Sequence, residues 1–224
     1  MTALVRATGI VALTTFLWGA LMLILTGNPE LTKTQLYADL AWVAEVQADA
    51  DKLDASRLAL HLDFVLLTLY GLTFVLLGVL LAGRGRGWWR IAGAAVIAGA
   101  VTTCVCDLVE NLRTLDVLPA DGTDVVTQSA LDALQTISYA KWAASAVTAS
   151  LVTLLFVGRG RARIVVLLAF MTAAAALVGL VGVIAQSRAT LQIYFALAGL
   201  LLAVVGVLFG IRPGKFLRGY RPGP

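Results

Sequence analysis

Charged residues are scarce in this chain. Only 13% of its 224 residues are Asp, Glu, Lys or Arg, whereas 60% are hydrophobic and the mean hydropathy is +0.91. A soluble domain of this length leaves many residues facing water and cannot bury so large an apolar fraction. This composition excludes a water-soluble domain. It predicts an all-α bundle in a lipid bilayer, with residues 1–224 forming a single integral membrane domain.

Histidine and cysteine are also rare. The single histidine, His61, does not supply the ligand set of a zinc hydrolase. Cys104 and Cys106 are two positions apart on a predicted helix, so their side chains diverge and we expect free buried thiols, with a metal-binding pair as the alternative. The Gly/Arg turns lack a preceding strand, which argues against a phosphate-binding loop. We therefore expect no cofactor and no metal.

Apolar runs of about 20 residues recur along the chain, and each is long enough to cross a hydrocarbon core of about 30 Å. They predict a polytopic membrane bundle of six transmembrane helices, joined by two longer extracytoplasmic loops, 27–60 and 109–138. The predicted spans cover approximately residues 9–26, 61–82, 90–108, 139–157, 164–186 and 191–211.

The loop 27–60 contains a second helical pattern. Asn28-Pro29-Glu30 is typical of a helix start, with a capping Asn, Pro at the first position and an acid in the first turn. Leu36, Leu40 and Val43 follow at helical spacing, with Trp and Tyr nearby. This pattern predicts an amphipathic extracytoplasmic helix between spans one and two, lying at the membrane interface.

Acidic residues are absent from one side of the predicted bundle. With six spans, all thirteen Asp and Glu residues fall on the opposite side. The positive-inside rule assigns the basic side to the cytoplasm, which predicts a multi-pass cell-membrane protein with both termini cytoplasmic. The net charge of +4 then reflects orientation and contacts with membrane lipids, and we expect no nucleic-acid partner. The residues on the basic side are Arg6, Arg84, Arg86, Arg90, Arg159, Arg161, Arg163, Arg212, Lys215, Arg218 and Arg221.

The end of the third apolar run carries an unusual polar group. Asp107, Glu110 and Asn111 lie at spacings i, i+3 and i+4, which places them on one helical face. Ionisable groups in a membrane helix are costly without partners, and the predicted topology brings Asp63 and Lys141 to the same depth. We therefore take Asp107, Glu110, Asp63 and Lys141 as candidate catalytic residues.

Four neighbouring residues are candidates for substrate binding: Asn111, Tyr70, His61 and Trp142. Tyr70 shares a helical face with Asp63, whereas His61 is two residues from Asp63 and faces the loop helix or Arg57. We expect Lys141 to neutralise one of the three acids, Asp63, Asp107 or Glu110. The remaining negative charge predicts a protonated acid, a bound cation or a contribution from Arg113.

A resemblance rests on these residues. Leu62-Asp63-Phe64 with Tyr70-Gly71, then Asp107-x-x-Glu110-Asn111, then an isolated Lys141, resembles a family of small uncharacterised bacterial membrane proteins over residues 56–157. The resemblance implies that these polar positions belong together, and it implies no activity. The chain is also similar, in size and in its carboxyl groups among membrane helices, to integral-membrane terpenoid cyclases. Their motifs do not match it residue by residue, so no catalytic residue carries over.

Three functions are compatible with this pattern, and the pattern leaves open whether the protein is an enzyme. The first is a membrane-embedded enzyme or lipid-binding protein with a carboxylate-rich pocket near the outer leaflet. Its substrate would be an amphiphilic lipid or isoprenoid, with acid/base or cyclase-like chemistry. The second is a structural or accessory subunit with an internally paired polar network. The third is a small-solute or proton-coupled transporter, which predicts polar groups near the midplane.

Overall fold

The computed structural model describes residues 1–26, 34–36, 38–119, 126–156 and 163–211, which are almost wholly α-helical. The predicted all-α class is confirmed. Residues 34–36 are also helical. The helices are α1 (Thr2–Thr26), α2 (Leu40–Ala48), α3 (Ala50–Ala82), α4 (Trp88–Val117), α5 (Gln128–Phe156), α6 (Arg163–Ile184) and α7 (Arg188–Ile211).

The six long helices form a closed ring in chain order. α1 packs against α3, each later helix packs against the next, and α7 returns to α1. Neighbouring helices are antiparallel, because residues later in one helix contact residues earlier in the next. On α1 and α3, Thr15 Oγ1 lies 3.1 Å from Thr73 Oγ1. Further along α1, the Trp18 indole donates to the carbonyl of Leu62, an earlier residue of α3, at 2.9 Å.

The ring has two chemically different ends. The basic end carries Met1 beside Gly83 and the 83–87 turn, where Arg84 also bonds the Leu154 carbonyl near the end of α5. The opposite end carries α2 and is called the α2 end below. An apolar core fills the half toward the basic end. It consists of Val5, Ala12, Leu77, Leu80, Leu81, Ala92, Val96, Val152, Leu168, Val205 and Phe209.

Glycines set the closest helix crossings. A Cβ atom on Gly93 of α4 would stand 2.5 Å from the carbonyl oxygen of Gly78 on α3. A Cβ atom on Gly9 of α1 would collide with the backbone of Phe209 and Gly210 on α7. Small residues at helix crossings are typical of membrane helix packing, because they let backbones approach and gain dispersion contacts.

The outer surface of the ring is apolar, with exposed side chains such as Ile24, Ile91, Phe170 and Ile184. Among the described residues, four helical segments are long and apolar enough to cross a bilayer: Thr2–Thr26, Ala50–Ala82, Trp88–Val117 and Ala189–Ile211. Leu168–Ile184 is a shorter apolar helix. These properties fit a membrane-embedded protein.

Four helices, α1, α3, α4 and α5, extend well beyond the predicted spans. α3 begins at Ala50, inside the segment predicted as loop 27–60, because the Asp49 side chain caps it by accepting from the Lys52 amide at 3.1 Å. α4 continues to Val117, inside the segment predicted as loop 109–138. Asp107 to Asn111 therefore lie more than a turn inside α4, and not at the helix end where the apolar run placed them.

The helix between α1 and α3 is shorter in the described residues than the pattern predicted. The predicted start, Asn28 to Glu30, lies outside those residues, and α2 begins at Leu40 with Asp39 accepting from the Trp42 amide at 2.8 Å. Its buried face packs on the ends of α3, α4 and α5, so α2 covers this end of the bundle. The packed residues are Ala38, Val43, Val46, Leu53, Val117, Leu118, Leu131 and Leu134.

A buried polar network as the candidate functional site

Three adjacent helices bring polar side chains into contact in the half of the bundle toward the α2 end. Each helix contributes residues separated by three, four or seven positions, so each set lies on a single face. α3 contributes Asp63 and Tyr70, α4 contributes Asp107, Glu110 and Asn111, and α5 contributes Ser138 and Lys141. The four predicted catalytic positions thus belong to one network.

Lys141 is the centre of this network. Its ammonium Nζ lies 2.9 Å from Asp107 Oδ1 and also contacts Glu110 Oε2. The side chains of Lys141, Asp107 and Glu110 are 13%, 5% and 0% exposed. Charges removed from water need a close partner of opposite sign. Engaged by two carboxylates, Lys141 is their shared counter-ion, whereas the sequence predicted that it neutralises one acid.

Hydroxyl groups complete the bonding of the two paired acids. The Tyr70 phenol donates to Asp107 Oδ2 at 2.5 Å, and the Ser138 hydroxyl contacts Glu110 Oε1. Hydrogen bonds to ionised acceptors are shorter and stronger than neutral ones. Tyr70, Asp107, Lys141, Glu110 and Ser138 therefore form one continuous chain of hydrogen bonds across α3, α4 and α5.

Asn111 connects the remaining acid to the loop that covers the network. Its Nδ2 donates to Asp63 Oδ2 at 2.7 Å, and its Oδ1 accepts from Gln35 Nε2 at 3.4 Å. The side chain is fully buried. Because both ends of the amide are engaged, Asn111 links Asp63 to Gln35.

Asp63 differs from the other two acids. It is half-buried, and in the part of the chain that the structure describes no Lys or Arg forms an ion pair with it. Arg113, predicted as a possible partner, is 64% exposed and lies 3.8 Å from Asp116 instead. Three carboxyl groups thus face a single ammonium, and Asp63 is the one without a cation of its own.

The network is covered at the α2 end. The backbone oxygen of Gln35 lies 3.0 Å from the Ser138 hydroxyl, and the Ala38 carbonyl accepts from Gln135 Nε2 at 3.0 Å. The Gln47 amide also donates to the Val117 carbonyl at 3.0 Å. These bonds hold α2 and the segment before it against the ends of α4 and α5, next to Glu110 and Asn111.

The remaining predicted binding residues lie outside the hydrogen-bonded chain. Trp142 packs edge-on against Tyr194, with ring centroids 5.7 Å apart, and Lys141 Nζ lies 5.3 Å from the Trp142 ring. His61 is exposed, and Arg57, its predicted neighbour, donates to the Leu118 carbonyl at 2.7 Å. Trp142 therefore packs beside the network, and His61 is not part of it.

Sequence reasoning missed three polar residues here. Ser138 and Ser145 lie three positions before and four positions after Lys141, so the helical period alone would have placed them on its face. Ser145 Oγ lies 2.7 Å from the buried Tyr194 hydroxyl and links α5 to α7. No helical periodicity in the sequence indicated Gln35, because it lies in the connection between α1 and α2, whose path depends on tertiary contacts.

No protein-family model, curated protein or solved structure matches the chain. The likeness carried by Leu62-Asp63-Phe64 and Asp107-x-x-Glu110-Asn111 therefore stays a prediction, and the chemistry rests on the network itself. Within the described ranges no group of three or more His, Cys, Asp or Glu side chains is arranged to hold a metal ion. The network can share protons among carboxyl, ammonium and hydroxyl groups, and it can receive a hydrogen-bond donor at Asp63.

Proposed function

We propose that the chain is a multi-pass membrane protein that binds an amphiphilic molecule, with Asp63 contacting the polar head of that molecule. In this proposal all six long helices cross the cell membrane, both termini are cytoplasmic, and the network lies toward the extracytoplasmic side. The separation of charge supports this orientation, since the described acids lie toward the α2 end while Arg84, Arg86 and Arg90 lie at the basic end.

The observation that carries the proposal is that, within the described residues, Asp63 lacks a direct ion pair with a Lys or Arg side chain. It accepts a hydrogen bond from Asn111 but has no ion-pair partner, while Lys141 is taken by Asp107 and Glu110. An ionised carboxylate in apolar surroundings is costly unless a cation or hydrogen-bond donors meet it. A head group that carries positive charge or donates hydrogen bonds supplies that partner. Acid/base chemistry on the bound molecule would use the same carboxyl group.

Asp63→Asn tests this proposal. The amide keeps the size of the carboxyl group but removes its charge, so the variant should fold and lose affinity for a cationic head. We would measure the melting temperature of the protein in lipid nanodiscs with dodecylamine, which combines an ammonium head with an apolar tail, and with uncharged dodecanol as the comparison. Dodecylamine should stabilise the wild-type protein and the control Asp116→Asn, but not Asp63→Asn. Equal stabilisation of all three proteins would exclude Asp63 as the contact.

A structural or accessory subunit is the second candidate, and it has its own observation. Asp107, Glu110 and Asn111 are buried and hydrogen-bonded, and within the described residues Ser56 Oγ is the one buried side-chain polar atom without a partner. A network so completely satisfied also serves to fix helix packing. The subunit hypothesis predicts that Asp107→Asn and Glu110→Gln destabilise the protein, whereas Asp63→Asn alters neither stability nor dodecylamine binding.

A transporter has less support than either alternative. That function predicts polar sites near the bilayer midplane and interrupted helices. The described helices α1, α3, α4 and α7 run without interruption.

A further inference from the structure

The turn between α3 and α4, together with the first residues of α4, concentrates arginine and tryptophan at the basic end. Residues 83–90 read Gly-Arg-Gly-Arg-Gly-Trp-Trp-Arg, and the sequence has no acid between Asp63 and Asp107. The local charge is therefore positive and has no nearby acid in the sequence to balance it. This surface is on the opposite end of the bundle from Asp63 and shares no residue with the proposed amphiphile site.

Arg84 has a structural task in this turn. Its guanidinium carbon lies 3.9 Å from the centroid of the Trp89 ring, and its Nη1 donates to the Leu154 carbonyl of α5. A Cβ atom on Gly85 would stand 3.0 Å from Trp89 Cδ1, and Gly87 has φ of +60°, a region that favours glycine. These contacts give the turn a defined backbone and join α4 to α5.

Arg86 and Arg90 point outward from this fixed turn. Both are exposed, and across the described ranges neither forms an ion pair with an acidic side chain. Trp88 beside them is 58% exposed. An exposed indole next to arginine at the end of a membrane helix is typical of the headgroup layer, where the ring meets both apolar and polar surroundings.

We propose that Arg86, Arg90 and Trp88 form a docking site for the headgroup of an anionic phospholipid. Charge complementarity selects this partner, because two guanidinium groups that form no ion pair with a described acid attract a negative headgroup. Guanidinium groups donate paired hydrogen bonds to phosphate oxygens, and Trp88 contacts the glycerol and upper acyl region. Arg84 does not bind lipid but holds the turn that presents the other two arginines.

Lipid competition tests the docking site. The full-length protein would be exchanged into mixed micelles containing equal amounts of phosphatidylglycerol and phosphatidylcholine with the same acyl chains, and retained lipid would be counted by native mass spectrometry. The wild-type protein should retain phosphatidylglycerol in preference. Arg86→Gln with Arg90→Gln should reduce that preference by about 25-fold, since each basic residue at an anionic surface contributes about fivefold.

Arg113→Gln is the matched control, because Arg113 is an exposed arginine at the α2 end. It should leave the preference for phosphatidylglycerol unchanged. The thermal unfolding of all variants would be recorded in parallel, and exposed Arg86 and Arg90 should be replaceable without loss of folding. An unchanged preference in the folded double variant, or an equal loss in Arg113→Gln, would overturn the proposal.

Discussion

Replacing Lys141 with methionine should strongly destabilise the protein. Methionine has a similar length and no charge, so the substitution removes the ammonium group while filling most of its volume. Asp107 and Glu110 would then face each other without their shared counter-ion, 5% and 0% exposed to solvent. Two buried carboxylates lose a partner through this one change.

The expected loss is about 3–5 kcal/mol in the free energy of unfolding, the usual effect of removing one partner from a buried ion pair. A surface pair in the same chain provides the comparison. Lys52 lies 2.7 Å from Glu45, but their side chains are 34% and 56% exposed. Water already solvates such charges, so Lys52→Met should cost at most about 1 kcal/mol.

Both variants would be unfolded in mixed micelles by titration with sodium dodecyl sulfate, with tryptophan fluorescence as the signal. A third variant would combine Lys141→Met with Asp107→Asn and Glu110→Gln, which removes the uncompensated charges and should recover most of the lost stability. The described ion pair would be contradicted if Lys141→Met lowers the free energy of unfolding no more than Lys52→Met does. It would also be contradicted if the triple variant recovers none of the lost stability.

Two further changes test individual contacts in the same assay. Tyr70→Phe removes the 2.5 Å hydrogen bond to Asp107 and should cost about 1.5–3 kcal/mol, the usual range for bonds to charged groups; a loss below about 0.5 kcal/mol would contradict it. Gly93→Ala places a Cβ atom 2.5 Å from the Gly78 carbonyl oxygen and should cost about 1–3 kcal/mol through overpacking. Gly199→Ala, with no atom within 4 Å, should be neutral or slightly stabilising, so equal effects of the two glycine variants would count against the crossing.

Helical periodicity and chain order were sufficient to bring the main residues of the network together. Asp107 and Glu110 share a face, and antiparallel neighbours place Tyr70 and Lys141 opposite them, as the hydrogen bonds show. Both placements depend only on the 3.6-residue repeat and on alternating helix direction. Asp63 joins the group through Asn111, a contact that depends on the relative rotation of α3 and α4 and not on periodicity alone.

The depth of the network was harder to predict, because an apolar run and a helix end for different reasons. The run ends at Leu108 where hydropathy changes, whereas α4 ends at Val117, two residues before Pro119. Proline lacks the amide hydrogen that a helix interior needs, so it marks the backbone limit. Arg113 is a second example, since it lies on the surface 3.8 Å from Asp116 and not beside Asp107.

The closed ring has a consequence for how the protein is made. α1 is synthesised before the other described helices, yet one of its packing partners, α7, is synthesised after all of them. Until then the face of α1 around Gly9 and Ala12 has no neighbour to cover it on that side. Contacts between distant parts of a chain form late and leave partly assembled intermediates vulnerable. Premature termination before α7 should therefore yield an open bundle that membrane proteases degrade, even though every residue of the polar network is already present.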